Sequence, residues 1–415
     1  MATGAQTTAG SAAESRQDHA WLRERVAELA AIERPSASDG ERRAAELLAS
    51  RLREAGARDV RIEQEPDANG TYWNSLGALA GAGVLAGVAA LRGGPLARAV
   101  VTAAGGLAAA LAADEMPPGR RRFRRLLPRR TAHHVLAELG PGDAERTIVV
   151  ASHHDAAHSA FFFNPAIIEA IGEYAPGLIE NHDTSPPLMW PVIAGPALVA
   201  AGAATGSRAL TRAGVAVSAG TVGFMADIGS RDSVPGANDN ATGCVALQAL
   251  AGALAADPTE GTRVLFVSTS EEALCEGMGL FMDRHGHELP RESTFFLCLD
   301  TIGSPRLCVL RGEGMKAMRD YPSESLELLD SSAAELGIDL VPNLRLRNAT
   351  DGVFPLHAGY QCASVCSCNH LKNPANYHWP TDVPENVDYA TLADAIRLSE
   401  RVIRRLDADW IQPRG

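Results

Sequence analysis

The chain has 415 residues, 46% hydrophobic and 21% charged, which suits a globular protein with a sizeable core, as one large domain with insertions or two to three small ones. Its formal net charge of -12 argues against a nucleic-acid-binding face. The seven cysteines are odd in number and form no CxxC pair, so a reducing compartment fits better than a disulfide framework.

Residues 1–17 contain no basic segment leading into an apolar run; they do not read as a secretory signal and are expected to be a disordered start. From residue 18 to about 33, Trp21, Leu22, Val26, Leu29 and Ile32 recur at helical spacing. A second helix follows in "SASDGERRAAELLASRLREAG", where Ser38 and Glu41 have capping-box spacing and Gly56 closes the run. "RDVRIEQE" alternates as a strand does, and "HHVLAEL", "RTIVVAS", "RVLFVSTS", "TFFLCLD" and "CASVCS" are further strand candidates. Helical stretches lie between several of them, notably "NATGCVALQALAGALAA" and the C-terminal "YATLADAIRLSERVIRRL". Apolar strands alternating with amphipathic helices predict an α/β domain whose sheet is covered on both faces.

Two regions, 74–113 and 186–227, interrupt this rhythm with almost unbroken Ala, Gly, Val and Leu. Each divides into two segments around a short break bearing arginine, near Arg92 and Arg208, and the segments approach the roughly 20 apolar residues that cross a bilayer. Glycines at four-residue spacing, Gly77 and Gly81, Gly83 and Gly87, would let such helices pack closely. The same segments also suit buried, Ala-rich hairpins forming a lid or an oligomer contact. "GRRRFRRLLPRR", with seven arginines in twelve residues, follows the first pair and marks a cytoplasmic flank if the hairpins are membrane-embedded. Both hairpins then return to the side they left. The expectation is a cell-membrane protein with its catalytic domain facing the cytoplasm, the alternative being a soluble cytoplasmic one.

The chemistry-bearing residues stand at strand or loop ends and in one late loop. "RTIVVAS" runs into "HHDAAH", which puts His153 and Asp155 on one side of the chain, where a carboxylate can fix the tautomer of a ligating imidazole. His154 and His158 are rival ligands. In "PGANDNATG", Asp239 sits in a Gly-rich turn at a helix start, either as an ordinary cap or as a carboxylate offering an oxygen to each of two metals. "STSEEALCEG" places Glu271 and Glu272 side by side: one can hold metal while its neighbour takes a proton from water, or they simply meet the positive end of a helix. "FFLCLDTIG" ends an apolar strand on Asp300, which needs a partner there. His378 lies in a Pro- and Asn-rich late loop. Together these form a mixed His and carboxylate set suited to zinc.

The order of "SHHDAA", "PGANDNATG", "STSEEALCEG", "CLDTIG", "TDGVFPLHAG" and "NYHWPTDVPENVD" resembles the zinc exopeptidases of metallopeptidase family 28, the bacterial leucyl-aminopeptidase-like enzymes. The likeness covers roughly residues 18–70, 132–160 and 232–410. It implies a three-layer α/β/α fold with a mixed, mostly parallel central sheet, as one domain over 18–410. That domain would be interrupted by a hairpin and Arg-rich loop (74–131) and by an insertion bordering the active site (156–231). It also implies two zinc ions per chain bridged by Asp239, with His153 and Asp300 completing one site and Glu272 and His378 the other. Asp155 would orient His153, Glu271 would be the general base, and Tyr377 would stabilise the oxyanion. The implied activity is removal of N-terminal residues from peptides. The alternatives are a glutaminyl-cyclase-like acyltransferase with one zinc and a non-catalytic membrane relative.

Overall fold

The structure, a computed structural model, describes residues 18–410; the start at residues 1–17 lies outside them. Helix α1 (His19–Ala30) buries Leu22, Val26 and Leu29, the stripe that its spacing predicts. In α2 (Asp39–Glu54), Ser38 Oγ accepts from the Glu41 amide as a cap should, and the chain turns away at Gly56 with φ +97°. The return half of the capping box is missing. The Glu41 carboxylate is buried and accepts instead from the amide and ring of His133, and it also meets His154 Nε2 at 3.1 Å.

Strand β1 (Arg58–Ala68) pairs antiparallel with β2 (Arg130–Leu139), and between them lie α3 (Tyr72–Arg92) and α4 (Pro95–Glu115). Strand β3 (Arg146–His153) is followed by α5 (Pro165–Tyr174), α6 (Gly177–Glu180), α7 (Trp190–Thr205), α8 (Arg208–Ser230) and α9 (Thr242–Ala256). Then come β4 (Thr262–Thr269), α10 (Glu276–His285), β5 (Thr294–Leu299), β6 (Arg306–Val309), and the short β7 (Gly312–Glu313) and β8 (Arg319–Asp320). The chain closes with α11 (Ser323–Leu336), β9 (Arg345–Leu346), α12 (Val353–Ala358), β10 (Gln361–Cys368) and α13 (Tyr389–Ala408).

Seven strands form one mixed sheet in the order β1-β2-β4-β3-β5-β10-β6. The four central strands β4, β3, β5 and β10 are mutually parallel, and the outer pairings are antiparallel. Helices cover both faces, so β3, β4, β5 and β10 read as nearly continuous apolar runs. One face packs against α1, α2, α9, α11 and α13, the other against α10 and α12. Because the central strands run in parallel, His153, Glu271, Asp300 and the chain after Cys368 all emerge at one edge. That edge is where open α/β sheets form their ligand crevice.

The two Ala- and Gly-rich regions become a four-helix bundle of α3, α4, α7 and α8. Gly83 and Gly87 face α7 and α8 so closely that a Cβ at Gly87 would collide with Val215; Gly81 faces open space, so only part of the predicted glycine pattern is used for packing. Arg98 turns along the bundle and its Nε donates to Ala203 O at the end of α7, 3.1 Å away. By length and composition α3, α4 and α8 could cross a membrane, with mean hydropathies of 1.6, 1.7 and 1.2; α7, with 16 residues, is shorter. Leu85, Leu96, Val100 and Leu107 project from the bundle's outer surface. The Arg-rich loop is only partly solvated. Arg124 is buried and bonded to Glu115 and Ala273 O, and Arg121 donates to the carbonyls of Leu274 and Cys275, while Arg120, Arg122, Arg125, Arg129 and Arg130 are exposed. All seven cysteines are buried free thiols.

Candidate metal centre

His153 is the last residue of β3, and its imidazole is held by Asp155, Nδ1 to Oδ1 at 3.1 Å. Its Nε2 points at Asp239 Oδ1, 3.3 Å away, and at Glu271 Oε2, 3.9 Å away. On the other side, His378 Nε2 lies 3.2 Å from Asp239 Oδ2 and 3.3 Å from Glu272 Oε2. The two oxygens of Asp239 thus face two different histidines. Ligand atoms of His153, Glu271 and Asp300 cluster within 4.8 Å, as do those of His153, Asp239 and Glu272.

The turns that carry these groups are tied together by buried hydrogen bonds. Asp155 accepts from Ser36 Oγ (2.5 Å), Ser270 Oγ (3.0 Å) and the amides of Glu271 (2.8 Å) and Glu272 (3.0 Å). It therefore aims His153 and fixes the adjacent glutamates at once. Asp382 accepts from the amides of Asn238 and Asp239, at 2.7 and 3.1 Å. Asn238 and Asn240 bind the end of β5 and the backbone after it, through Leu299 O, Thr301 N and Gly303 N. Capping of α9 falls to Asn240, whose Oδ1 accepts from Gly243 N, so Asp239 is left to face the histidines. The fully buried Arg34 donates to His154 O, Pro235 O and Gly236 O, locking the turn before Asp239 onto the end of β3.

The rival histidines are elsewhere. His154 turns to Ser268 and Glu41, and His158 bonds Arg231 O and packs at a tilt against Trp73. Helix α10 begins only at Glu276, so Glu271 and Glu272 are not its first turn; Glu276 stands there and accepts from the amides of Asn69 and Gly70. Tyr377 stacks on His378 with ring centroids 3.8 Å apart, and its hydroxyl oxygen accepts from Asn348 Nδ2 at 3.1 Å.

Burial and neighbouring carboxylates set the charges. Burial together with Asp351, Cys275 and Asp300 pushes the Glu271 carboxyl well up; burial and Asp239 do the same to Asp300, and burial raises Glu272. Asp351 beside Glu271, also held by Thr269 Oγ1, is pushed up to about 6 by burial. Against burial, which opposes it, the His153 and Ser36 contacts hold Asp155 down to about 2. Also against burial, Glu272 and Asp239 raise His378 to about 10. Asp239 Oδ2, Glu271 Oε2 and His378 Nδ1 are buried without a hydrogen-bonding partner; Asp239 Oδ2 meets His378 at ion-pair distance but not in hydrogen-bond geometry. Crowded carboxylates with unpartnered oxygens, two histidines and no thiolate among them make a donor set that fits zinc.

A family model for peptidase family M28 matches residues 216–403, a span holding Asp239, Glu271, Glu272, Asp300, Tyr377 and His378. Residues 216–403 are thus similar to peptidase family M28. Its fold is similar to a Zn-dependent exopeptidase from Parabacteroides distasonis (14% identity, TM-score 0.52, 94% of this chain and 97% of the other). A zinc aminopeptidase from Bacillus subtilis is similar at 14% identity and TM-score 0.52, over 93% of this chain and 94% of the other. So is a glutaminyl cyclase from Tannerella forsythia, at 15% identity and TM-score 0.53, over 94% of this chain and 98% of the other. No curated protein sequence matches. At these identities the likeness is one of fold, a mixed seven-stranded sheet flanked by helices.

Above the metal centre lies a cavity of about 300 Å³ whose wall includes Tyr72 of α3, Phe162, Phe163, Met189 and Phe224 of α8, so the inserted segments form part of the site. Phe163 lies in the insertion expected to border the active site, whereas neither Ser36 nor Arg34 stands in a motif that flags it. Asp351 and Asp382 do: both lie inside the late motifs "TDGVFPLHAG" and "NYHWPTDVPENVD", each a carboxylate with no obvious surface role.

Proposed function

We propose that the chain is a zinc-dependent aminopeptidase that hydrolyses N-terminal residues from peptides. The observation that carries this reading is Asp239, whose separate oxygens face His153 and His378, each beside a further carboxylate. A two-zinc site would use His153, Asp239 and Asp300 on one side and Asp239, Glu272 and His378 on the other. A one-zinc cyclase would need only one such set of donors, whereas two overlapping sets meet here, and this supports the peptidase over the acyltransferase. Bound zinc would supply Lewis acidity toward the scissile carbonyl and ease deprotonation of water.

The chain's own groups do the rest. Glu271, uncommitted at Oε2, takes a proton from the attacking water and returns it to the leaving amine. Asp155 keeps His153 in one tautomer and holds the Glu271 amide, so base and ligand are set by one group. Burial and the surrounding carboxylates hold the Tyr377 phenol well above its ordinary pKa, so it stays protonated; with its oxygen accepting from Asn348, its own proton is available to the developing oxyanion. The peptidase domain would run over 18–410, with 74–131 and 156–231 as insertions, and the bundle they form would anchor it in the cell membrane with the centre facing the cytoplasm.

Glu271→Gln tests the mechanism. Zinc content should be retained while hydrolysis of aminoacyl-nitroanilides falls by about 100-fold or more. Undiminished hydrolysis would remove Glu271 from the reaction.

A further inference from the structure

The inserted segment 156–231 does more than border the centre. Phe163 reaches into it and packs on the His378 ring at 4.7 Å and on Tyr377 at 5.7 Å between centroids. Phe163 in turn meets Phe224 of α8 at 6.3 Å, and Phe224 meets Phe162 at 5.8 Å. An aromatic path therefore runs from a proposed metal ligand to a helix of the bundle. Ile167, Ile168 and Ile171 on one side of α5 continue the cavity wall. The same core cluster that contains Tyr72, Met189, Met225 and Met315 joins the base of the bundle to this wall, and Trp190 Nε1 donates to Met315 O across the junction.

The outside of this segment is apolar too. Phe161 is 64% exposed, Tyr174 80%, Leu178 64% and Trp190, the first residue of α7, 46%. An exposed tryptophan at the end of an apolar helix, beside exposed apolar side chains, suits a membrane–water interface. The cavity's own cations are already paired: Arg345 with Asp320 at 3.1 Å and Lys372 with Asp183 at 3.1 Å. A short peptide's terminal carboxylate thus finds both lining cations occupied, whereas an apolar chain finds a continuous wall.

We infer that this site acts on apolar peptides partitioned into the bilayer, whose N-terminus reaches the metal centre along the Phe162–Phe224–Phe163 wall from the membrane surface. The inference rests on the aminopeptidase reading and on the bundle's insertion in a bilayer. It names the substrate class and the route, which neither the fold nor the family supplies.

The test uses the full chain in phosphatidylcholine vesicles with two peptides that both begin with leucine. One continues with alternating Lys and Glu and stays in water; the other continues with about 18 apolar residues and enters the bilayer. At equal bulk concentration the initial rate of leucine release should be at least tenfold higher for the apolar peptide. In the double variant Tyr174→Glu, Leu178→Glu, exposed positions where charge is tolerated by the fold, the ratio of the two rates should fall toward one. Equal rates for both peptides in the unsubstituted protein would overturn the inference while leaving the aminopeptidase reading intact. Release from neither peptide would remove the aminopeptidase reading and the inference with it.

Discussion

Asp155 is completely buried, yet it is held in its charged form because four donors and an imidazole converge on it. Its two oxygens divide the work, one on His153 and the Glu271 amide, the other on Ser36, Ser270 and the Glu272 amide. Asp155→Asn keeps the shape but replaces an acceptor with a donor, so at least one of these contacts is lost. Zinc affinity should drop about 10–100-fold, the usual cost of losing a partner behind a ligating histidine. A competition titration against a chromophoric chelator measures it, and unchanged affinity would show that His153 needs no such support. His153, the paired glutamates and Asp300 were legible because they stand at the ends of apolar strands, where a charged group needs a reason, and Asp239 and His378 because their motifs complete the set. Ser36 and Arg34 were not: they act through contacts more than 100 residues away in sequence, and a serine or arginine after a surface helix carries no local signal.

Elements follow their sequence patterns where burial dictates them and depart where a buried polar group makes a stronger claim. Helix α2 starts at the predicted cap, but Glu41 abandons the capping box because two buried histidines need its carboxylate more. Helix α10 starts at Glu276, beyond the adjacent glutamates, and the turn this frees presents them to His153 and His378. That helix is tied to β1 through Glu63, which meets His285 Nε2 at 2.7 Å and Arg284 at 3.4 Å. Although burial opposes it, His285 and Arg61 lower the Glu63 carboxyl from 4.5 to about 2. A depressed carboxylate pKa contributes stability that is present above the unfolded value and lost as pH falls through the folded one. Glu63→Gln should therefore cost about 1 kcal/mol at neutral pH, a modest figure for a partly exposed pair. The difference from the unsubstituted protein should shrink as pH falls from 4.5 toward 2. Urea denaturation of both proteins across that range checks it; a difference independent of pH would mean that the ion pair is not its source.

For the whole molecule, the sheet explains why distant motifs meet: four parallel strands deliver His153, the Glu271 turn, Asp300 and the late loop to one edge. The bundle was legible as four apolar segments, but its seat beside the metal centre was not, because Tyr72 and Phe224 reach the cavity only once both hairpins pack together. Three helices of membrane-spanning length with apolar outer faces predict that alkaline washing leaves the protein in the membrane fraction and that detergent releases it. Recovery in the soluble fraction without detergent would return the hairpins to a soluble lid. The central claim, a two-zinc peptidase centre built around Asp239, is tested most directly by the metal content of the detergent-purified protein, read together with chelator-sensitive aminopeptidase activity. Two zinc ions per chain and loss of activity on chelation are expected. One zinc ion with cyclisation of N-terminal glutamine and no peptide hydrolysis would contradict it.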